Sequence, residues 1–110
     1  MKITTVKSKK PKVLTEEMPA NSHYFAITGD MTIQSAALDR EALLETITGL
    51  DALAIDLSQL EEIDTSGVQQ LLAIKRRFEK EHKHCHMHSF SAPVTDLLLV
   101  FNLENRLGLT

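Results

Sequence analysis

Four consecutive residues, Asp64-Thr65-Ser66-Gly67, place a carboxylate, two hydroxyls and a position without a side chain next to one another. They follow Leu57-Ser58-Gln59-Leu60-Glu61-Glu62-Ile63, where a buried strand ends in a short acidic loop, and they open a helical periodicity. Hydroxyls at a helix start can satisfy first-turn N–H groups that have no intrahelical partner. Ser66 with Gln69 three residues on matches a capping box, so simple capping is one reading of Ser66. A second reading uses the same geometry: a phosphate on Ser66 would meet the free N–H groups and positive dipole end of the helix. Asp64, Glu61 and Glu62 would set like charge beside that dianion, so modification would change the local field sharply without breaking the fold. Gly67, having no side chain, would leave the approach open to a partner's active site. Capping and switching are compatible roles for Ser66.

A second cluster is Glu81-His82-Lys83-His84-Cys85-His86-Met87-His88. On a strand, His84, His86 and His88 share one face at roughly 6–7 Å spacing. Three imidazoles so placed could ligate zinc, with His23 as a further candidate. Such sites usually draw a ligand from elsewhere, and neither a second Cys nor a well-spaced acid is at hand. Surface histidines on a half-exposed strand are therefore the expectation, and no metal or other cofactor is implied. Cys85 and Met87, on the opposite face, read as core.

An enzymatic reading would make Ser66 a nucleophile, a histidine its base and Asp64 the orienter. The chain lacks the Gly-x-Ser-x-Gly elbow and any glycine-rich phosphate cradle, so a non-enzymatic role is expected.

The elements that must position these residues fit one domain. The chain has 110 residues, 43% apolar and 25% charged, in the ordinary globular range. A formal charge of −3 argues against nucleic acid or an acidic membrane as partner. The basic cluster Lys2, Lys7, Lys9, Lys10 and Lys12 has no interleaved aromatics and reads as a solvated arm. The opening MKITTVKSKKPK has no apolar core of a signal peptide, and the run Leu97 to Phe101 is too short to span a bilayer. A single cysteine, Cys85, excludes an internal disulfide and fits a reducing compartment, so a cytoplasmic location is expected.

Residues 1–21 read as an N-terminal arm with an edge strand near Val13-Leu14, and residues 22–110 as the domain. A strand over His23–Thr28 should stop at the turn signal Gly29-Asp30. Ser35 should cap a first helix whose Leu38, Leu44 and Ile47 face inward, with Asp39, Arg40, Glu41 and Glu45 elsewhere and Gly49 at its end. Ala52–Leu57 reads as a strand covered on both faces. A second helix from Ser66 buries Val68, Leu71, Leu72, Ile74 and Phe78 and exposes Lys75, Arg76, Arg77, Glu79 and Lys80. A strand over His84–Phe90 and a third helix from Ser91-Ala92-Pro93 follow, the latter burying Leu97, Leu98, Val100 and Phe101 before Asn102. The order β-β-α-β-α-β-α predicts an α/β fold with a mixed, largely parallel sheet.

The run DLSQLEEIDTSGVQQLLAIKRR over residues 56–77 resembles the signature of the STAS family, found in bacterial anti-sigma factor antagonists and in anion-transporter tails. Gly29-Asp30-Met31-Thr32 with Ser35-Ala36 resembles the family's Gly-Glu-Leu…Thr-Ala segment. Ser91-Ala92-Pro93-Val94 with Leu97 and Leu99 resembles its Ser-Pro-x-Val helix, and Asn102-Leu103 its ending. The resemblance spans residues 22 to 108. It implies a bacterial signalling protein that binds a protein partner through Asp64, Thr65, Ser66, Gly67, Gln69 and Gln70. The antagonists' phosphorylated serine falls on Ser66, which implies an anti-sigma-type serine kinase as partner. Thr65 falls where STAS subunits of lipid-transport ABC complexes carry a functional threonine, which implies an ATPase as the alternative partner and no phosphorylation. Stand-alone STAS proteins of chemotaxis operons are similar too. Thr32 departs from the acidic residue common at that place in sporulation-type antagonists, and no last strand and helix is expected beyond Thr110.

Overall fold

The computed structural model describes residues 1–6, 19 and 21–108. Among these residues, five strands and four helices form in the order β1 (Lys2–Val6), β2 (His23–Met31), α1 (Ala36–Ile47), β3 (Ala52–Asp56), β4 (Leu60–Ile63), α2 (Thr65–Lys80), β5 (His84–His88), α3 (Ala92–Val100) and α4 (Glu104–Leu107). The sheet runs β1-β2-β3-β5, with β4 also pairing β2. β1 is antiparallel to β2. The pairs β2–β3, β2–β4 and β3–β5 are parallel, so the sheet is mixed and largely parallel as expected.

Successive strand residues point to opposite faces. Ala52, Leu53, Ala54 and Ile55 are all buried, so β3 is the covered central strand that its apolar run predicted. Phe25, Ile27, Leu53, Ile55, Cys85 and Met87 line the face that meets the helices' apolar stripes. α2 contributes Val68, Leu71, Leu72, Ile74 and Phe78 to that core, all five of the residues its periodicity assigned inward. It packs on β5 and touches α1, α3 and α4, while α3 packs on β4.

The differences from the sequence reading have identifiable causes. Lys2–Val6, read as solvated arm, pair with Tyr24–Thr28 as an edge strand, and lysine is tolerated there because an edge leaves one side open to water. The edge strand expected near Val13-Leu14 lies outside the described residues. β2 does not turn at Gly29-Asp30 but runs on to Met31 through a register shift between them. Gly29 absorbs that bulge at φ +83°, a conformation costly for any residue with a Cβ. The acidic segment read as a loop forms β4, which pairs with Gly29, Asp30 and Met31 across that shift.

The inward stripe of α1 is Asp39, Leu43 and Ile47, spaced four apart, whereas Leu38 is 73% exposed and Leu44 37%. Apolar residues surround this helix, so its periodicity alone did not define the phase. Asp39 tolerates burial because the Ser35 hydroxyl donates to its Oδ2 at 2.8 Å and the Met1 amino group lies 3.7 Å from Oδ1. Ser35 therefore bonds a side chain in the first turn rather than a backbone N–H. In α3, Val94 and Leu98 are the buried pair, while Leu99, Val100 and Phe101 stay exposed. The chain reverses at Asn102 (φ +55°) into α4, whose Leu107 returns to the core.

Candidate functional site

The strand β4 delivers the chain to Asp64, and Asp64 starts α2. Its backbone is extended (φ −119°, ψ −173°), the usual conformation of an N-cap, and its carbonyl accepts the Val68 N–H at 3.1 Å. Oδ1 accepts the N–H groups of Ser66 (2.9 Å) and Gly67 (3.2 Å) and the Ser66 hydroxyl (2.5 Å). Oδ2 accepts the Ile33 N–H at 2.8 Å, and the Asp64 N–H donates to the Met31 carbonyl at 3.2 Å. The cap is thus Asp64, not Ser66. A carboxylate two residues ahead of Ser66 reaches the first-turn donors directly and leaves no role for a Ser66–Gln69 box.

These donors hold the Asp64 carboxyl below its ordinary range, the Ser66 hydroxyl foremost and the Ile33 N–H next, with Gly67 and Ser66 N–H adding and burial opposing. An ionised Asp64 beside the Ser66 oxygen is therefore the resting state at neutral pH. Thr65 is exposed on the first turn and Ser66 half-buried beside it.

Gly67 has a different task from the one its small size suggested. A Cβ there would collide with the Met31 carbonyl and lie 2.7 Å from Ile63 Cγ1 and 2.8 Å from Met31 Cβ. The absence of a side chain lets α2 close onto the end of β2, and Gly67 is buried rather than presented outward. Gln69 is exposed on the next turn, whereas Gln70 reaches sideways and its Nε2 donates to the Ala36 carbonyl at 3.2 Å, linking α2 to α1.

One residue of this surface went unnoticed in the sequence. Ile33 is 70% exposed, and its N–H is fixed to the same carboxylate that holds the Ser66 hydroxyl. Its signal was an isoleucine standing in a polar turn immediately after a strand.

His84, His86 and His88 do share one sheet face, since they pair with Ala52, Ala54 and Asp56 of β3. They do not share an environment: His84 is exposed, His86 intermediate and His88 only 9% exposed, correcting the expectation of surface histidines. Burial lowers the His88 pKa first of all, the Asp56 carboxylate raises it, and His86 lowers it. Its Nδ1 sits 2.8 Å from the Ser89 hydroxyl. Among the described residues, no three His, Cys, Asp or Glu side chains converge to hold a metal ion. Cys85 is buried, its thiol pKa pushed up to about 12 chiefly by desolvation, which suits a core residue and not a nucleophile. No helix of the described residues is long and apolar enough to cross a membrane.

The geometry has counterparts of known structure. An anti-sigma factor antagonist from Mycobacterium paratuberculosis superposes with a TM-score of 0.62 at 21% identity, over 94% of this chain and 81% of that one. SpoIIAA, described as an anti-sigma factor antagonist in its unphosphorylated form, gives 0.62 at 16% identity, over 82% and 80%. A sulfate transporter family protein from Wolinella succinogenes gives 0.63 at 18%, over 84% and 76%. At these identities the likeness is one of fold. No curated protein matches the chain. The family model described as "Mlab, STAS domain" matches residues 14–109, nearly the whole sequence, and the chain belongs to the STAS domain family.

Proposed function

We propose that the protein is a non-enzymatic regulatory domain that docks a protein partner through the first turn of α2, with the Ser66 hydroxyl as its switch. The observation that carries this is the Ser66 Oγ–Asp64 Oδ1 hydrogen bond at 2.5 Å on a half-exposed helix start. Transfer of a phosphoryl group to Ser66 Oγ removes the proton that this bond needs and sets a dianion against an ionised carboxylate. Free energy then rises for the compact first turn, and the Ser66 oxygen beside Thr65 and Gln69 changes from a neutral hydroxyl to a strongly negative group. A partner serine kinase of the anti-sigma type would both bind this face and modify it. The structural likeness to SpoIIAA, which is also known in a form described as phosphorylated, supports the reading without extending to this chain's own residues. The test compares native protein, Ser66→Ala and Ser66→Asp for affinity to candidate kinases, with intact mass before and after incubation with ATP. Loss of binding in Ser66→Asp and a phosphate acquired only by native protein are expected. Equal binding by all three with no mass change removes the switch.

A second reading rests on Thr65 and on the family model. Thr65 is exposed and its hydroxyl bonds no side chain among the described residues, whereas Ser66 is already engaged by Asp64. Constitutive docking onto the ATPase of a lipid-transport ABC complex would use that free hydroxyl with no phosphorylation. Thr65→Ala should then weaken assembly with such an ATPase more than Ser66→Ala does.

A further inference from the structure

Beyond the first turn, α1 and α2 diverge over a groove of about 400 Å³ that shares only Gln69 and Gln70 with the docking face. Its floor is apolar, from Leu43 and Ile47 of α1 and Ile74 of α2, all buried. Leu44 and Ala73 stand on its walls and are exposed. Gln70 ties α2 to α1 at the Ala36 carbonyl, so the groove's width is set without an occupant. Two cations rim it, Arg40 on α1 and Arg77 on α2. Arg77 meets Glu81 at 3.4 Å with both side chains nearly half exposed, an ion pair of little strength that a partner can displace. Arg40 is exposed, and no described residue forms a salt bridge with it.

The charge here runs against the rest of the molecule. The chain is net −3, yet α2 carries Lys75, Arg76, Arg77 and Lys80 against Glu79 alone, all in its second half. The acids Asp64, Glu61 and Glu62 gather at its start. An occupant of this groove meets the two positive charges of its lining, Arg40 and Arg77, with negative charge beyond one end.

The wall residues of α2, Gln69, Ala73 and Arg77, recur every four positions, which is the ridge into which a third helix packs. We infer that the groove between α1 and α2 receives an amphipathic helix of the protein partner, its apolar stripe on Leu44, Ala73 and Ile74 and acidic side chains facing Arg40 and Arg77. This is helix-in-groove recognition, with affinity from apolar burial and partner choice from charge. It rests on the reading of this molecule as a partner-docking domain and adds the chemistry of what docks. The acidic end of α2 also sets direction, since the partner helix is favoured with its acidic residues away from Asp64.

The test uses the full chain and two fluorescent helical peptides of about 15 residues with the same leucine stripe, one flanked by glutamates and one by lysines. Anisotropy should give roughly tenfold tighter binding of the glutamate peptide, the sum of two partly exposed ion pairs. The preference should reverse in Arg40→Glu/Arg77→Glu and both peptides should be lost on Ala73→Trp, which fills the groove from an exposed position. Equal binding of the two peptides, no binding, or binding untouched by Ala73→Trp overturns the inference. So does displacement of the glutamate peptide by a long-chain carboxylate at equal molar affinity, which would assign the groove to a small amphiphile. Failure here with an intact effect of Ser66→Asp on kinase binding sinks the groove alone. Success here with no effect of any Ser66 variant sinks the switch alone.

Discussion

Asp64 and Ile33, 31 positions apart, are joined by a 2.8 Å hydrogen bond from the Ile33 N–H to Oδ2, while the other carboxylate oxygen caps α2. One side chain therefore fixes the turn after β2 and the start of α2 to each other, and it positions Ile33, Thr65 and Ser66 together.

Asp64→Ala should lower stability by about 1–2 kcal/mol, the usual cost of a lost N-cap. Asp64→Asn should fall between, since its amide oxygen can cap α2 but its NH₂ would face the Ile33 N–H, donor against donor. Urea midpoints at neutral pH measure both. The folded carboxyl titrates below its unfolded value, so the native state gains above the ordinary carboxylate range and loses that gain as pH falls through the lowered value. The advantage of native protein over Asp64→Asn should shrink in strong acid.

Gly67→Ala tests close packing rather than partner access. The added methyl would press on Met31 and Ile63, and Met31 is fully buried, so neither neighbour can yield cheaply. A loss of about 1–3 kcal/mol is expected from overpacking, measured by chemical denaturation. Unchanged stability with weakened partner binding would return Gly67 to the role its sequence first suggested.

The phase of α1 can be checked by two substitutions. Leu43, 4% exposed, should cost about 2–5 kcal/mol on truncation to Ala. Leu38, 73% exposed, should tolerate Ser within about 0.5 kcal/mol. Reversed outcomes in thermal melts would mean the helix is rotated by a residue.

His88 should make stability depend on pH near neutrality. Its folded pKa lies below the ordinary histidine value, so the unfolded chain takes up a proton first as pH falls. The contribution is complete above the unfolded value, about 6.5, and is lost as pH drops through the folded one. Asp56, opposite it on β3, and His86, on its own strand, are the charged neighbours that set the extent. Urea midpoints between pH 7.5 and 5.5 should fall in native protein and fall less in His88→Gln.

Most of the architecture was readable residue by residue because long apolar patterns leave few alternatives. Ala52–Ile55 could only be a covered strand, and Val68, Leu71, Leu72, Ile74 and Phe78 could only be one face of a helix. The start of α2 at Asp64-Thr65-Ser66-Gly67 was legible too, because a carboxylate and hydroxyls are favoured where first-turn N–H groups need acceptors. Short or polar elements were not legible. β4 has four residues with two exposed glutamates, and it is a strand only because β2 continues past Gly29 to pair with it. β1 is polar because it is an edge.

What the sequence determined by itself about Asp64-Thr65-Ser66-Gly67 is its chemistry: which groups are present, and that they stand where a helix begins. Tertiary structure alone decided their roles. Whether Ser66 or Asp64 caps α2 depends on where a carboxylate points, and that depends on Ile33 and Met31, brought there by the pairing of β2 with β4. Whether Gly67 is open or covered depends on the distance between a helix and a strand that no local pattern encodes. Burial of Asp39 likewise awaited Ser35 and the Met1 amino group, because a charged side chain reads as exposed until its partners are in place.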